Sequence, residues 1–61
     1  MGYVVTVEGK GKTLFADKLG GGTENANDAQ VFYNFEQANE VKDIIQGCVG
    51  KKAHAYLGVL P

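Results

Sequence analysis

The sequence predicts a small α+β domain, in which one helix covers one face of an antiparallel or mixed sheet of three to four strands. Short runs of β-branched and aromatic residues occur near both ends of the chain, as is typical of strands. A single central segment has apolar residues at helical spacing, which indicates one amphipathic helix. The length of 61 residues suits one domain, residues 1–61, and the predicted order of elements is β-β-β-α-β.

The first half of the chain is predicted to form a hairpin, a loop and a third strand. Residues 3–18 contain two apolar, β-branched runs separated by a Gly-Lys-Gly turn, which is a hairpin pattern. Residues 20–28 begin with three glycines and contain almost no apolar side chain, so they predict a flexible surface loop. Residues 30–33 are mostly apolar and predict a short strand.

The central segment predicts a helix over residues 35–47. Asn34 is a favoured N-cap residue, and Gln37 three positions later completes a capping-box pattern. A glycine tolerates the left-handed backbone that ends many helices, and either Gly47 or Gly50 can supply it here. The apolar residues at helical spacing are Ala38, Val41, Ile44, Ile45 and Cys48. We expect this stripe, including the lone cysteine, to pack against the sheet.

Residues 53–60 alternate between two faces and predict the closing strand. With a single helix, one face of the sheet stays uncovered and becomes an apolar patch of the kind that marks an interface. Depending on register, the side chains predicted on that face are Val4, Phe15, Tyr56 and Leu60. A shift of one residue would move Phe15 into the core instead. A chain this short gains stability from self-association, so we expect a homodimer that uses this face.

Composition excludes several classes of protein. The net charge is −1 at pH 7, and all six basic residues are lysines; the lack of arginine weakens sequence-specific recognition of nucleic acid. No apolar run is long enough to cross a membrane, and the N-terminus lacks the basic segment of a secretion signal. One unpaired cysteine suits the reducing cytoplasm. We therefore expect a cytoplasmic protein that does not contact membranes.

The segments that suggest catalysis do not fit the mechanisms they suggest. Residues 6–13 match the phosphate-binding loop pattern at every fixed position except the first, but no helix is predicted after them to face a phosphate. Cys48 and His54 are the only soft metal ligands, whereas a zinc site needs four. No third group is placed to orient them as a nucleophile and base. We expect no catalytic residue, no metal and no cofactor, with Cys48 in the core and His54 exposed.

Three carboxylates lie on one side of the predicted helix, at positions i, i+4 and i+7. They are Glu36, Glu40 and Asp43. No lysine stands four residues away to pair with them, and like charges at this spacing mildly destabilise a helix. The pattern suits either a solvated face or a docking stripe for a basic partner surface.

Four lysines flank the first and last strands. Lys10 and Lys12 lie in the hairpin turn, and Lys51 and Lys52 precede the closing strand. If the two strands are antiparallel neighbours, the loops meet in a basic patch suited to anions or nucleic acid. If the strands are parallel, the loops lie at opposite ends of the sheet. Nucleic-acid binding is therefore an alternative function, although four lysines without arginine make it secondary to protein binding.

The chain resembles a class of short prokaryotic and phage-encoded open reading frames with this order of elements. The resemblance is carried by Tyr3-Val4-Val5, Ala29-Gln30-Val31-Phe32 and Asn34-Phe35-Glu36-Gln37-Ala38. In that class an aromatic strand end leads into a capped helix with an acidic residue, before a closing strand. Many such products look like host-takeover or anti-defence factors, which implies a stoichiometric inhibitor or adaptor in the host cytoplasm.

The leading prediction is therefore a small non-catalytic interaction protein, acting as a homodimer on a protein partner. Its predicted contact surfaces are the uncovered sheet face and the acidic stripe. A lysine-based nucleic-acid-binding protein is one alternative. A second alternative is a protein that binds or sequesters a small molecule, either between two subunits or under the loop of residues 20–28.

Overall fold

The computed structural model describes residues 1–60, so Pro61 lies outside the described residues. The chain forms a four-stranded antiparallel sheet with one long helix. The elements are β1 (Gly2–Gly9), β2 (Lys12–Ala16), β3 (Gly22–Thr23), α1 (Phe35–Val49) and β4 (His54–Leu60). The strand order across the sheet is β3-β2-β1-β4. The α+β class and the β-β-β-α-β order predicted from the sequence are confirmed.

β1 and β2 form the predicted hairpin. They pair from Thr6 opposite Phe15 down to the two-residue turn of Lys10 and Gly11. Both turn residues have positive φ, 53° and 77°, as a type I′ turn requires. Because this turn matches the right-handed twist of the two strands, it sets their register.

The third strand does not lie at residues 30–33, and this prediction is wrong. β3 is instead a two-residue strand inside the predicted loop, paired with the end of β2. Residues 30–33 contribute one bridge, in which Phe32 and Tyr3 exchange backbone hydrogen bonds of 2.7 and 2.8 Å. The pairing of β2 with β1 stops at Thr6 opposite Phe15. Nearer the start of β1, Phe32 takes the place of β2 and pairs with Tyr3. The apolar pattern thus identified a paired segment that is too short to be a strand.

The loop at residues 20–28 is more structured than expected. The carboxylate of Asp17 accepts hydrogen bonds from the backbone N–H groups of Leu19 and Gly21, at 2.9 and 2.8 Å. Residues 26–28 form a 3-10 turn. The glycine run is therefore attached to the end of β2 by short-range hydrogen bonds, in the manner of an Asx turn.

The core lies between α1 and the face of the sheet that carries Val5. Val5 and Ala38 are completely buried, and Phe32 is nearly so. The side chains packed around them are Tyr3, Ala16, Val41, Ile45 and Leu57. α1 packs mainly on β4 and β1. One helix therefore covers only half of the width of the sheet.

The ends of α1 follow the predicted signals. Asn34 Oδ1 accepts a hydrogen bond from the Gln37 N–H at 3.0 Å, which confirms the N-cap. Of the two candidate glycines, Gly50 is the C-cap, with a φ of 63°. The helix continues through Gly47, so it is two residues longer than predicted.

The apolar stripe of α1 is only partly buried. Ala38 is completely buried, whereas Ile44 is 67% exposed and Cys48 is also exposed. Successive helical residues are rotated by about 100°, so Val41 and Ile45 face the sheet with Ala38 while the other two lie to one side. The prediction that Ile44 and Cys48 belong to the core is wrong, because the helix meets the sheet along a narrow strip.

A single side chain links the end of α1 to the start of β4. The amide nitrogen of Gln46 donates to the carbonyl oxygens of Gly50 and Ala53, at 2.8 and 3.0 Å. Its amide oxygen accepts from the N–H of Ala55 at 2.8 Å. Gln46 therefore bonds to the outer side of β4 as a neighbouring strand would.

Candidate functional site

Exposed apolar side chains collect at one end of the molecule, where β1 and α1 begin and β4 ends. Of the seven large hydrophobic side chains exposed within residues 1–60, five lie at this end. They are Met1, Tyr33, Phe35, Val59 and Leu60. We call this surface the apolar end. Single exposed hydrophobic residues are common, but a cluster of them is typical of an interaction surface.

Tyr3 connects the parts of the apolar end. It lies opposite Val59 in the sheet, and its ring meets the ring of Phe35 edge to face at a centroid distance of 5.6 Å. Its backbone is bonded to Phe32. Tyr3 is itself half-buried, so it holds the exposed side chains of Val59 and Phe35 in place. Such pre-organisation lowers the entropic cost of binding.

Tyr33 reaches this surface because residue 2 is a glycine. A Cβ atom at Gly2 would lie 2.6 Å from Val31 Cγ1 and 3.6 Å from a ring carbon of Tyr33. Gly2 also lies opposite Leu60 in the sheet. The absence of a side chain at this position therefore lets the segment before α1 cross the start of β1 and approach the end of β4.

β4 is an edge strand, and half of its outer edge is free. The outward backbone groups at its start, the Ala53 C=O and the Ala55 N–H, are hydrogen-bonded by Gln46. Backbone groups alternate in direction along an antiparallel strand, so those of Leu57 and Val59 also face outward. Within residues 1–60 no group is hydrogen-bonded to these two residues from that side. The free edge therefore adjoins the apolar end.

The face opposite α1 carries the four side chains predicted there, namely Val4, Phe15, Tyr56 and Leu60. It is more closed than expected. Val4 and Thr6 are 6% and 3% exposed although no helix covers them, and Phe15 and Tyr56 flank Thr6 as its cross-strand partners. Of the four, only Leu60 is an exposed large hydrophobic residue. The predicted placement agrees with the structure, and the interface role of this face stays a prediction.

A polar network occupies the hairpin end of the same face. The Tyr56 hydroxyl donates to Glu8 Oε1 at 2.7 Å, and the Tyr56 ring stacks on the exposed His54 at a centroid distance of 6.0 Å. This hydrogen bond raises the pKa of Tyr56, and desolvation and the negative charge of Glu8 act in the same direction. The network makes this part of the face polar, unlike the apolar end.

The acidic stripe lies on the outer side of α1. Glu36, Glu40 and Asp43 are all exposed. Asp43 is partly neutralised by its neighbour, since its Oδ1 lies 3.1 Å from the Lys42 ammonium nitrogen. No lysine stands four residues from these carboxylates, and the pairing observed joins Asp43 to the adjacent residue instead. The docking role of this stripe stays a prediction.

The strand order brings the two lysine loops together. β1 and β4 are antiparallel neighbours, so the turn with Lys10 and Lys12 lies beside the turn with Lys51 and Lys52. The two loops approach closely, because a Cβ atom at Gly9 would lie 2.9 Å from the Lys52 carbonyl oxygen. Of the two arrangements left open by the sequence, the structure has the basic patch. It lies at the end of β1 opposite the apolar end.

An apolar groove runs along the helix side of β2, which α1 leaves uncovered. It has two sections with a shared floor of Val7, Leu14 and Val49. One section ends at Gly20–Gly22. The other ends at Lys10, Lys12 and Lys52. We call this feature the lysine-rimmed groove.

The residues that suggested catalysis lie in the hairpin, in α1 and at the start of β4. Residues 6–13 form the end of β1, the hairpin turn and the start of β2, so the phosphate-loop pattern does not lead into a helix. No group of three His, Cys, Asp or Glu side chains within residues 1–60 is placed to hold a metal ion. In the same part of the chain, no helix is long and apolar enough to span a membrane.

Sequence reasoning missed the apolar end. Its signal was the pair of aromatic residues, Tyr33 and Phe35, on either side of the Asn34 cap. A hydrophobic staple would bury the residue before the cap, but Tyr33 is 79% exposed here and Phe35 is 55% exposed, so both rings are available for a partner. Scans of family models and searches of curated proteins and solved structures found no match to this chain.

Proposed function

We propose that this chain is a small non-catalytic interaction protein that binds a protein partner through its apolar end. The observation that carries the proposal is the collection of five of the seven exposed large hydrophobic side chains at one end. Tyrosine, phenylalanine and methionine are enriched at protein interfaces, and tyrosine is one of the residues that most often carry the binding energy. Three of the five side chains are of these types.

The free edge of β4 supports the same proposal. A partner strand added beside Leu57 and Val59 would gain main-chain hydrogen bonds while its side chains contact the apolar end. Edge strands in soluble proteins are usually protected by charges, prolines or bulges. β4 has no charged residue after His54 in its span His54–Leu60, so its protection comes from Gln46 alone, at the other half of the strand.

The concrete form of the proposal is a stoichiometric inhibitor or adaptor of a bacterial protein, working in the cytoplasm. It draws on the resemblance to small phage and prokaryotic reading frames. In its homodimeric form the partner strand is β4 of a second copy. Under twofold symmetry about Gly58, Leu57 can pair with Val59 of the second copy, which uses only the free half of the edge and keeps Ala55 bonded to Gln46.

Affinity capture from a bacterial lysate tests the proposal. The exposed, single Cys48 can carry biotin, which leaves both ends of the sheet free of tags. We expect one protein to be retained at stoichiometric yield through a high-salt wash, because apolar contacts resist salt whereas charge contacts do not. Tyr33→Ser should abolish retention. Leu19→Ser is the matched control, since Leu19 is 95% exposed and lies between β2 and β3, on the side of the sheet opposite β4.

Equal retention by the Tyr33 and Leu19 variants would refute the apolar end as the docking surface. The homodimeric form has its own test, because a dimer makes the melting temperature rise with protein concentration. Val59→Lys should remove that dependence by placing a charge beside the free edge. A melting temperature independent of concentration in the unsubstituted chain would exclude the dimer.

Nucleic-acid binding remains a second candidate, favoured by the juxtaposition of the two lysine loops. Fluorescence anisotropy with a single-stranded oligonucleotide tests it across a salt series. Four phosphate contacts predict a slope of about −3 for log affinity against log salt concentration. The double substitution of Lys51 and Lys52 by glutamine should reduce that slope by about half. Absence of binding at low salt would exclude this candidate.

A further inference from the structure

We propose that the lysine-rimmed groove binds a linear aliphatic carboxylate, with its chain along β2 and its carboxylate between Lys10, Lys12 and Lys52. This site is separate from the apolar end, so it adds a ligand to the proposed protein-binding function. Of the small-molecule sites expected from the sequence, between two subunits or under the loop of residues 20–28, the groove adjoins only the second, at Gly20–Gly22. The argument rests on the floor of the groove, its length and the charge at one end.

The floor of the groove is apolar and open. Val7, Leu14 and Val49 line both of its sections, and each of them is only half-buried. Their side chains carry no polar atom, and Ile45 extends the same surface toward the glycine end. A ligand that covers this floor removes apolar surface from water, which is the main source of affinity in such sites.

The charge at one end of the groove is uncompensated. Lys10, Lys12 and Lys52 border this section, and no acidic residue lines it. Within residues 1–60 the only ion pair joins Lys42 to Asp43, so none of the three rim lysines has a carboxylate partner there. The groove is therefore apolar along its length and positively charged at one end, which complements an anion with an apolar tail.

The floor favours an alkyl chain over a peptide. An extended peptide laid along these side chains would leave backbone N–H and C=O groups facing apolar atoms, and unpaired buried polar groups are costly. An alkyl chain has no such groups, and its only polar atoms lie at the carboxylate. The five residues of β2 span roughly 15 Å, which matches an extended decanoate. The two sections measure about 230 and 260 Å³, a size suited to one chain.

The test is a titration of the isotope-labelled chain with decanoate below its micellar concentration, followed by amide NMR shifts. We expect saturable shifts at Leu14, Ile45 and Lys12. Decyltrimethylammonium has the same chain with a cationic head, and we expect it to bind at least tenfold more weakly. Equal affinity for the two amphiphiles, or no saturable binding of decanoate, would overturn the proposal.

Lysine variants locate the carboxylate. Since one exposed ion pair is worth up to about a fivefold change in affinity, Lys12→Gln combined with Lys52→Gln should weaken decanoate binding by roughly tenfold. Lys18→Gln makes the same kind of charge change beyond the far end of β2 and should leave the affinity unchanged. All three lysines are exposed, so the variants keep the fold. A loss of affinity in the Lys18 variant as large as in the double variant would overturn the proposed orientation.

Discussion

Replacing Gln46 with alanine removes three hydrogen bonds that join the end of α1 to the start of β4. Two of them, to Ala53 and Ala55, are partly buried, and the third, to Gly50, is exposed. A typical hydrogen bond contributes about 0.5–1.5 kcal/mol to stability, and a donor left unpaired costs more. Counting only the two partly buried bonds, we expect a loss of about 2 kcal/mol.

A loss of this size is a large part of the total stability of the chain. At about 0.05–0.15 kcal/mol per residue, a domain of 61 residues has a free energy of unfolding of only about 3–9 kcal/mol. The melting temperature should fall by roughly 10 °C, since each 1 kcal/mol lowers it by about 4–8 °C in a domain of this size. The gain in helix propensity from alanine offsets only a few tenths of a kcal/mol.

Urea unfolding followed by circular dichroism measures the effect. We expect the midpoint to fall while the slope of free energy against urea stays constant, as for a change in stability alone. Gln37→Ala is the matched control, because Gln37 is an exposed glutamine on the same helix. The control should stay within about 0.5 kcal/mol of the unsubstituted chain. Equal stability of the two variants would refute a structural role for the Gln46 amide.

Gln46→Glu separates hydrogen bonding from packing. The new carboxylate keeps the oxygen that accepts from Ala55 but turns its second oxygen toward the carbonyls of Gly50 and Ala53. This repulsion should raise the pKa of the new carboxyl group above its unfolded value of about 4.3. The variant should therefore be most stable below that pH and lose stability as the pH rises through the folded-state pKa. A stability independent of pH across this range would contradict the hydrogen-bonding account.

Two further predictions concern the helix end and the polar network. Gly47→Ala should stabilise the chain by about 0.5–1 kcal/mol, since Gly47 is a helix-interior glycine with open space at its Cβ position. Gly50→Ala should destabilise it by about 1 kcal/mol, because Gly50 has a φ of 63°. Thermal unfolding should show a raised melting temperature for the first variant and a lowered one for the second. Shifts of the same sign would contradict this prediction. In an absorbance titration one tyrosine should ionise above its ordinary pKa, and Glu8→Ala should lower that pKa by removing both the acceptor of the Tyr56 hydroxyl and the negative charge beside it. Since folding raises the pKa of Tyr56, the stability contributed by this group is complete below about pH 10 and is lost as the pH rises through the folded-state pKa. A titration curve unchanged in the Glu8 variant would refute the assignment of the shifted pKa to Tyr56.

The elements that could be predicted are those with local signals. The type I′ turn of Lys10 and Gly11 follows from a glycine-rich turn between two β-branched runs. The start of α1 follows from Asn34, whose side chain caps the third helical residue as expected. The faces of β1 and β4 follow from the alternation of side chains along a strand, so Val4, Tyr56 and Leu60 lie opposite α1 as expected. The face of Phe15 was left open, and its register with Thr6 places it on the same side.

The features that could not be predicted depend on how the elements pack. Nothing local shows that α1 rests on β1 and β4 alone, and this placement exposes Ile44 and Cys48. The same placement opens the groove along β2. The meeting of the two lysine loops depended on strand order, which the sequence left open between two arrangements. Short pairings such as Phe32 with Tyr3 resemble strands in composition but are decided by tertiary contacts.

The pairing of β1 with β4 has a consequence for how the chain folds. Their paired positions join residues separated by 46 positions, Glu8 with His54, up to 58 positions, Gly2 with Leu60. The hairpin and the helix are local and can form early, whereas this pairing must close a loop of almost the whole chain. We infer that the docking of β4 is the last step of folding and the first to be reversed. Resistance to unfolding is therefore set along β4, and substitutions there should speed unfolding far more than they slow folding.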